Sequence, residues 1–133
     1  MVRERAYIDA SALVKLLLQE SESDELRQYV SLDRELITSR IATVEVRRAI
    51  ARSTTADDAA LAQLWGRIGL MELDAQVAQA ASQALPANLR SLDAIHLASA
   101  LALREDVRSV VTYDRRLADA ARAAGMDVVS PGI

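Results

Sequence analysis

Along the chain, short β-branched apolar runs alternate with longer stretches whose apolar positions recur every three or four residues. The pattern predicts strand and helix in turn. A first strand falls at residues 6–8, Asp9 follows at once as a tight turn, and Ser11 is expected to N-cap a leucine-rich helix over 12–18. A helix over 23–30 comes next, then a strand centred on 36–38 that leads into a helix over 41–52. Ser53-Thr54-Thr55 breaks the pattern before a helix over 57–68, with Leu61, Leu64, Trp65 and Ile68 on one stripe and Gly69 as its stop. Residues 70–73 fit a short strand, and 75–85 a helix ended by Pro86. Ser91 is expected to cap a nearly all-apolar helix over 92–103, which such a composition would bury. A β-branched strand at 110–112, a helix over 114–124 closed by Gly125, and a last strand at 128–129 complete the chain.

Short strands separated by helices imply an α/β fold, with a parallel sheet and helices on both faces, because parallel neighbours need crossover connections. In such folds ligands bind beyond the carboxyl ends of the strands, where the strand order reverses. Polar residues at those ends are therefore the ones to follow.

Composition narrows the chemistry. The 133 residues show no repeat, linker or low-complexity boundary and read as one domain, 1–133; 51% hydrophobic and 26% charged residues are a globular composition. There is no cysteine and one histidine, His96, which excludes disulfides, thiolate metal sites and multi-histidine sites. Any metal must be held by oxygen. The uncharged stretches fall far short of the ~20 apolar residues of a membrane span, and 6–8 is too short for a signal-peptide core, so no membrane association and a cytoplasmic location are expected. The net charge of -3 argues against coating nucleic acid through bulk positive charge. Lys15 is the only lysine among 16 basic residues, a bias that abundant alanine ascribes mainly to a GC-rich genome. With no Phe and 3% aromatics, base stacking has little to work with.

Four acids stand out by position. Asp9 and Asp114 follow strands, so both should reach the carboxyl edge of the sheet and meet if those strands are neighbours. Asp93 lies in the first turn of the apolar helix, which would carry it to the floor of a cleft. Glu45 lies between the apolar Ile41 and Ala49 but shares its stripe with Arg48 and Arg52. Each acid also has an ordinary use: helix caps for Asp9 and Asp114, a helix N-terminus for Asp93, a surface pair with Arg48 for Glu45. Together they do not rest easily, since two carboxylates ~5 Å apart repel by about 3 kcal/mol at an effective dielectric near 20. A cluster of four calls for protons or a hard cation such as Mg²⁺ or Mn²⁺. Ser11 and Thr112 stand two residues from Asp9 and Asp114 and are placed to orient a carboxylate. His96, one turn after Asp93 and within reach of it, is expected to be a packed, hydrogen-bonded residue rather than a ligand, and Lys15 to snorkel outward.

The stretches Tyr7-Ile8-Asp9-Ala10-Ser11-Ala12-Leu13-Val14-Lys15-Leu16, Glu45 with Arg48-Ala49, Leu92-Asp93-Ala94-Ile95-His96-Leu97-Ala98 and Val111-Thr112-Tyr113-Asp114-Arg115-Arg116-Leu117 together resemble the PIN-domain family. Within it they are similar to the VapC-like toxin ribonucleases of bacterial type II toxin-antitoxin pairs. The resemblance implies a PIN-like fold with a five-stranded parallel sheet, Asp9, Glu45, Asp93 and Asp114 as catalytic and metal-binding quartet, and Ser11 and Thr112 as supporting hydroxyls. It also implies Mg²⁺-dependent endonucleolytic cleavage of RNA, a VapB-like antitoxin partner and a homodimer. Where some relatives carry a further acid after the last aspartate, this chain has Arg115 and Arg116, which leaves one or two metal ions open.

On this reading Asp9, Asp93 and Asp114 hold the metal, Glu45 is either a ligand or the base for the attacking water, and Arg40, Arg47, Arg48, Arg52, Arg115 and Arg116 form a phosphate-binding rim. The rival from another class is a catalytically silent module whose acidic pocket receives an arginine from a partner protein. A phosphoaspartate receiver would want a late strand-end lysine, and a haloacid-dehalogenase-type phosphatase a second aspartate where Ser11 stands; neither fits. The apolar stripes around 16–18 and 61–68 are expected in the core, with a partner surface as their other use.

Overall fold

The chain runs β1 (Glu4–Ile8), α1 (Ala10–Leu17), α2 (Ser23–Ser31), β2 (Arg34–Ser39), α3 (Ile41–Ser53), α4 (Asp58–Trp65), β3 (Gly69–Met71), α5 (Ala75–Ser82), α6 (Ser91–Ala102), β4 (Ser109–Val111), α7 (Arg115–Ala123) and β5 (Asp127–Val129). The structure is a computed structural model that describes residues 4–32 and 34–133. Every strand pairing is parallel, and the order across the sheet is β3-β2-β1-β4-β5. The chain therefore builds outward from β1 to β3, then returns to place β4 on the other side of β1. That reversal between β1 and β4 opens a crevice at their carboxyl ends. Ile8 is in register with Val111, so Asp9 and Thr112 leave the sheet side by side.

Alternation along the strands divides the interior in two. Ala6, Ile8 and Val111 pack with Leu13, Leu26, Val46 and Leu61 of α1 to α4. Tyr7 and Val110 face the opposite way, against Leu97 of α6 and Leu117 and Ala121 of α7. Helices thus cover both faces, as the alternation predicts. The two apolar stripes are used here: Leu16, Leu17, Leu18, Leu64 and Trp65 pack against the first core, and Leu61 and Ile68 are buried within it. Each fully buried aliphatic side chain contributes roughly 1.5–3 kcal/mol. No helix among the described residues is long and apolar enough to cross a membrane.

Several boundaries differ from expectation, each for a local reason. Asp9, not Ser11, caps α1, because its carboxylate accepts the Ala12 N–H at 3.1 Å and frees Ser11 for other bonds. The Ser91 cap is also corrected: Ser91 is the first helical residue of α6, and Arg90 precedes it with no side-chain cap. α4 ends at Gly66, three residues before the expected stop, and Gly69 instead begins β3 beside Ile37. β4 stops at Val111, which leaves Thr112 just past the strand and at the crevice. Gly125 closes the last helix as expected, with φ at 90°, a left-handed conformation that glycine adopts without a Cβ penalty.

Candidate active site

At the crevice, Asp9 is buried and surrounded by donors. Its Oδ1 accepts from Ser11 Oγ at 2.7 Å and from the Ala12 N–H, and its Oδ2 accepts from Thr112 Oγ1 at 2.7 Å. The same two hydroxyls accept main-chain donors at 3.0 Å: Tyr113 N–H crosses from the turn after β4 to Ser11 Oγ, and Asp114 N–H reaches Thr112 Oγ1 within that turn. The turn after β1 is thereby stitched to the turn after β4. Burial raises the Asp9 carboxyl above its ordinary pKa, while the His96 ring and the three donors pull it back. Asp114 caps α7, its Oδ1 accepting Arg116 N–H at 2.9 Å and Leu117 N–H at 3.1 Å. Its Oδ2 carries no hydrogen bond among the described residues.

The other two acids arrive from helices. Glu45, half-buried on α3, places Oε1 2.7 Å from His96 Nε2. The other ring nitrogen, Nδ1, lies 2.7 Å from the Tyr7 hydroxyl, which in turn accepts the Ser39 N–H at 3.1 Å. The Tyr7 and His96 rings meet edge to face, with centroids 5.7 Å apart. Burial pushes the Tyr7 hydroxyl well above the usual phenol range. Asp93, one turn before His96, accepts no hydrogen bond from the described residues. Burial raises its carboxyl first and the Asp114 charge second, with Asp9 and Glu45 adding to the rise and His96 opposing it. The other three acids all act on Asp93, so the four share one electrostatic neighbourhood.

Several expectations about individual side chains are corrected. Glu45 meets His96 and makes no pair with Arg48, because α3 turns it toward α6. His96, by contrast, is packed and hydrogen-bonded as expected, with Tyr7 and Glu45 as its partners. Lys15 does not snorkel freely: its ammonium is mostly covered, paired with Glu22 at 2.8 Å and Glu20 at 3.5 Å, and stacked over Tyr113. In the arginine rim, Arg40 is engaged by Glu72 and Arg47 by Asp58, so their charge is already answered. Arg48, Arg52, Arg115 and Arg116 are exposed and make no ion pair among the described residues. Tyr7 and Ser39 were not singled out from the sequence; a tyrosine in an otherwise aliphatic strand was the available signal.

Among the described residues, no three Asp, Glu or His side chains stand together ready to hold a metal ion. The donor chemistry nonetheless suits a hard divalent cation. Asp93 has both oxygens unused, and Glu45, Asp114 and Asp9 each retain acceptor capacity on the second oxygen. The charge crowding on Asp93 is what a cation would offset. Loading such an ion requires side-chain adjustment, which Asp93 is freest to make.

A parallel α/β sheet with an acidic crevice at its switch point defines a class, and comparison with known proteins narrows it. The PIN domain family model matches residues 6–123. The chain is 40% identical over 125 residues to Ribonuclease VapC46 of Mycobacterium tuberculosis, covering 94% of this chain and 96% of that protein. It is 40% identical over 130 residues to Ribonuclease VapC35 of the same species, covering 95% and 96%. Among solved structures, Mycobacterium tuberculosis VapC20, described as a sarcin-ricin loop cleaving toxin, aligns with a TM-score of 0.73 at 14% identity over 95% of this chain and 99% of that one. A toxin-antitoxin complex from Klebsiella pneumoniae aligns at 0.70 and 19% identity, over 95% and 97%. The chain belongs to the PIN domain family, in its VapC-like branch, and the sheet described above is the PIN-like fold.

Proposed function

We propose that this protein is a divalent-metal-dependent endoribonuclease, the toxin component of a VapBC-like toxin-antitoxin pair. The observation that supports the reading is the raised carboxyl of Asp93, held up first by burial and then by the charges of Asp114, Asp9 and Glu45, beside the β1/β4 switch point. Relatives at 40% identity named ribonucleases support the reaction class, and the toxin-antitoxin complex from Klebsiella pneumoniae supports an antitoxin partner.

Asp9, Asp93 and Asp114 would hold the ion, with Glu45 as a further ligand or as general base. A bound Mg²⁺, with Mn²⁺ as substitute, supplies positive charge against the developing phosphoryl charge and makes a nearby water more acidic. Asp9, clamped by Ser11 and Thr112, presents one oriented oxygen at no further conformational cost. Glu45 keeps Oε2 available to accept the proton of the attacking water, because Oε1 is already committed to His96. Arg115 and Arg116, in the first turn of α7 beside Asp114, face the entering phosphate backbone from solvent. In-line attack by water breaks the P–O3′ bond and leaves 5′-phosphate and 3′-hydroxyl ends. An open apolar groove of about 890 Å³ beside α5, α6 and α7, with Leu85 75% exposed at its rim, offers an antitoxin a surface to cover, and a homodimer is the expected assembly.

The test is Asp93→Asn assayed on RNA with and without Mg²⁺. Loss of cleavage in a folded variant supports the reading, and undiminished cleavage refutes it. The rival reading is a catalytically silent module whose acidic pocket receives a partner's arginine. Titration calorimetry separates the two, since the enzyme must bind Mg²⁺ and lose that binding when the quartet is neutralised.

A further inference from the structure

We propose that Ser39, Tyr7 and His96 form a buried donor chain that ends on Glu45 Oε1, which makes His96 a positioning residue for the cleavage site. The inference deepens the proposed function and rests on it for the role of Glu45, but the chain itself stands on hydrogen-bond geometry. The Glu45 end fixes where one ring proton sits. A carboxylate can only accept, so the 2.7 Å contact to Glu45 Oε1 requires a proton on His96 Nε2. At the other end, the Tyr7 oxygen already accepts the Ser39 N–H at 3.1 Å. The Tyr7 hydroxyl and His96 Nδ1, 2.7 Å apart, share the next proton of the chain.

The chain starts at the end of β2, crosses β1, passes through α6 and finishes on α3, so it couples four elements around the switch point. Tyr7 is fully buried and His96 is 2% exposed. The ring therefore lies behind Glu45 and cannot itself meet a nucleic acid. What it does is remove torsional freedom from a long flexible acid, spend Oε1, and leave only Oε2 for the reaction. Such outer contacts orient reactive carboxylates in many hydrolytic sites. The bond to Glu45, 51 positions away, satisfies the buried Nε2–H and at the same time fixes the acid.

Because His96 is the only histidine, its ring nitrogens can be read in the ¹⁵N-labelled full chain by long-range ¹H–¹⁵N correlation without assignment. The metal-free wild type should show a proton on Nε2, held in the bond to Glu45. A ring whose only proton is on Nδ1, leaving Nε2 bare, overturns the chain, whether or not the protein cleaves RNA. In kinetics, His96→Leu should lower kcat by about 10–100-fold with KM for RNA within about twofold, and His96→Gln, which keeps an N–H toward Glu45, should recover most of the loss. Tyr7→Phe should fall between the two. A packing role reverses that order, since leucine suits an apolar helix better than glutamine, so His96→Leu matching or exceeding His96→Gln overturns the proposal. If the wild type cleaves no RNA, the proposed function fails and the tautomer alone decides the chain; if the histidine variants do not fold, the wild-type spectrum decides it likewise.

Discussion

On the Asp9–Asp114 side of the crevice both carboxylates are helix caps, each accepting main-chain N–H groups two or three residues ahead, and Thr112 ties one cap to the other. On the Glu45–Asp93 side neither acid caps anything: Glu45 is held through His96 from another helix, and Asp93 by no hydrogen bond among the described residues. The first side is set by main-chain and hydroxyl donors that fix where its carboxylates sit. The second is set by charge and by a side-chain chain, so it should respond to protons and cations. One site thus combines a rigid half, which defines position, with an adjustable half.

The sharpest way to break this contrast is to neutralise one acid on each side. Asp93→Asn should cut cleavage by at least about 10²-fold, and in the metal-free protein at neutral pH it should raise the Tm, because it removes a charge that burial first, and then Asp114, Asp9 and Glu45, disfavour. Asp9→Ala should also abolish cleavage, but it should lower stability by about 1–2 kcal/mol in urea denaturation through loss of the α1 cap and of the partner to two hydroxyls. Equal signs for the two stability changes would dissolve the distinction between the halves.

Thr112→Val tests the stitch within the rigid half. It should reduce cleavage by about 10-fold and stability by about 1 kcal/mol, since it leaves Asp9 Oδ2 and the Asp114 N–H without their shared partner. A smaller effect is expected in the pH dependence of the metal-free protein. The folded-state pKa of Asp93 lies above its unfolded value, so the folded chain holds this proton more tightly. Its contribution is therefore favourable in acid and is lost as pH rises from the ordinary carboxylate range through the raised pKa. Glu22, held down by its hydrogen bond to Lys15, works in the opposite sense, so the whole-protein slope is a sum. Subtracting the Asp93→Asn profile isolates the term; the variant should decline less toward neutral pH, and saturating Mg²⁺ should flatten the wild type in the same way. A wild-type slope identical to that of the variant would assign no charge strain to Asp93.

The parts of the fold readable from the chain alone were those with local causes. Alternating strands and helices, Gly125 as a stop, and Asp114 before α7 follow from propensity and capping chemistry within a few residues. Ser11 was misread as a cap because either it or Asp9 could begin the helix locally, and the choice depends on Tyr113, which reaches Ser11 from 102 positions away. Glu45 was ambiguous for a similar reason. Its stripe carries apolar and basic neighbours alike, and only the packing of α3 near α6 shows that histidine, not arginine, takes its oxygen. Lys15 was misjudged because Glu20 and Glu22, beyond the end of α1, fold back on it.

The order of residues by itself determined the element types, the oxygen-only donor set and the four acids worth following, because periodicity, capping and the absence of cysteine are properties of neighbours and of composition. Tertiary structure decided that β4 lies against β1, that Thr112 clamps Asp9, and that Tyr7 and His96 back Glu45. Those outcomes depend on strand order and helix docking, where groups far apart in the chain compete for the same few hydrogen-bond positions, and only the packed molecule resolves that competition.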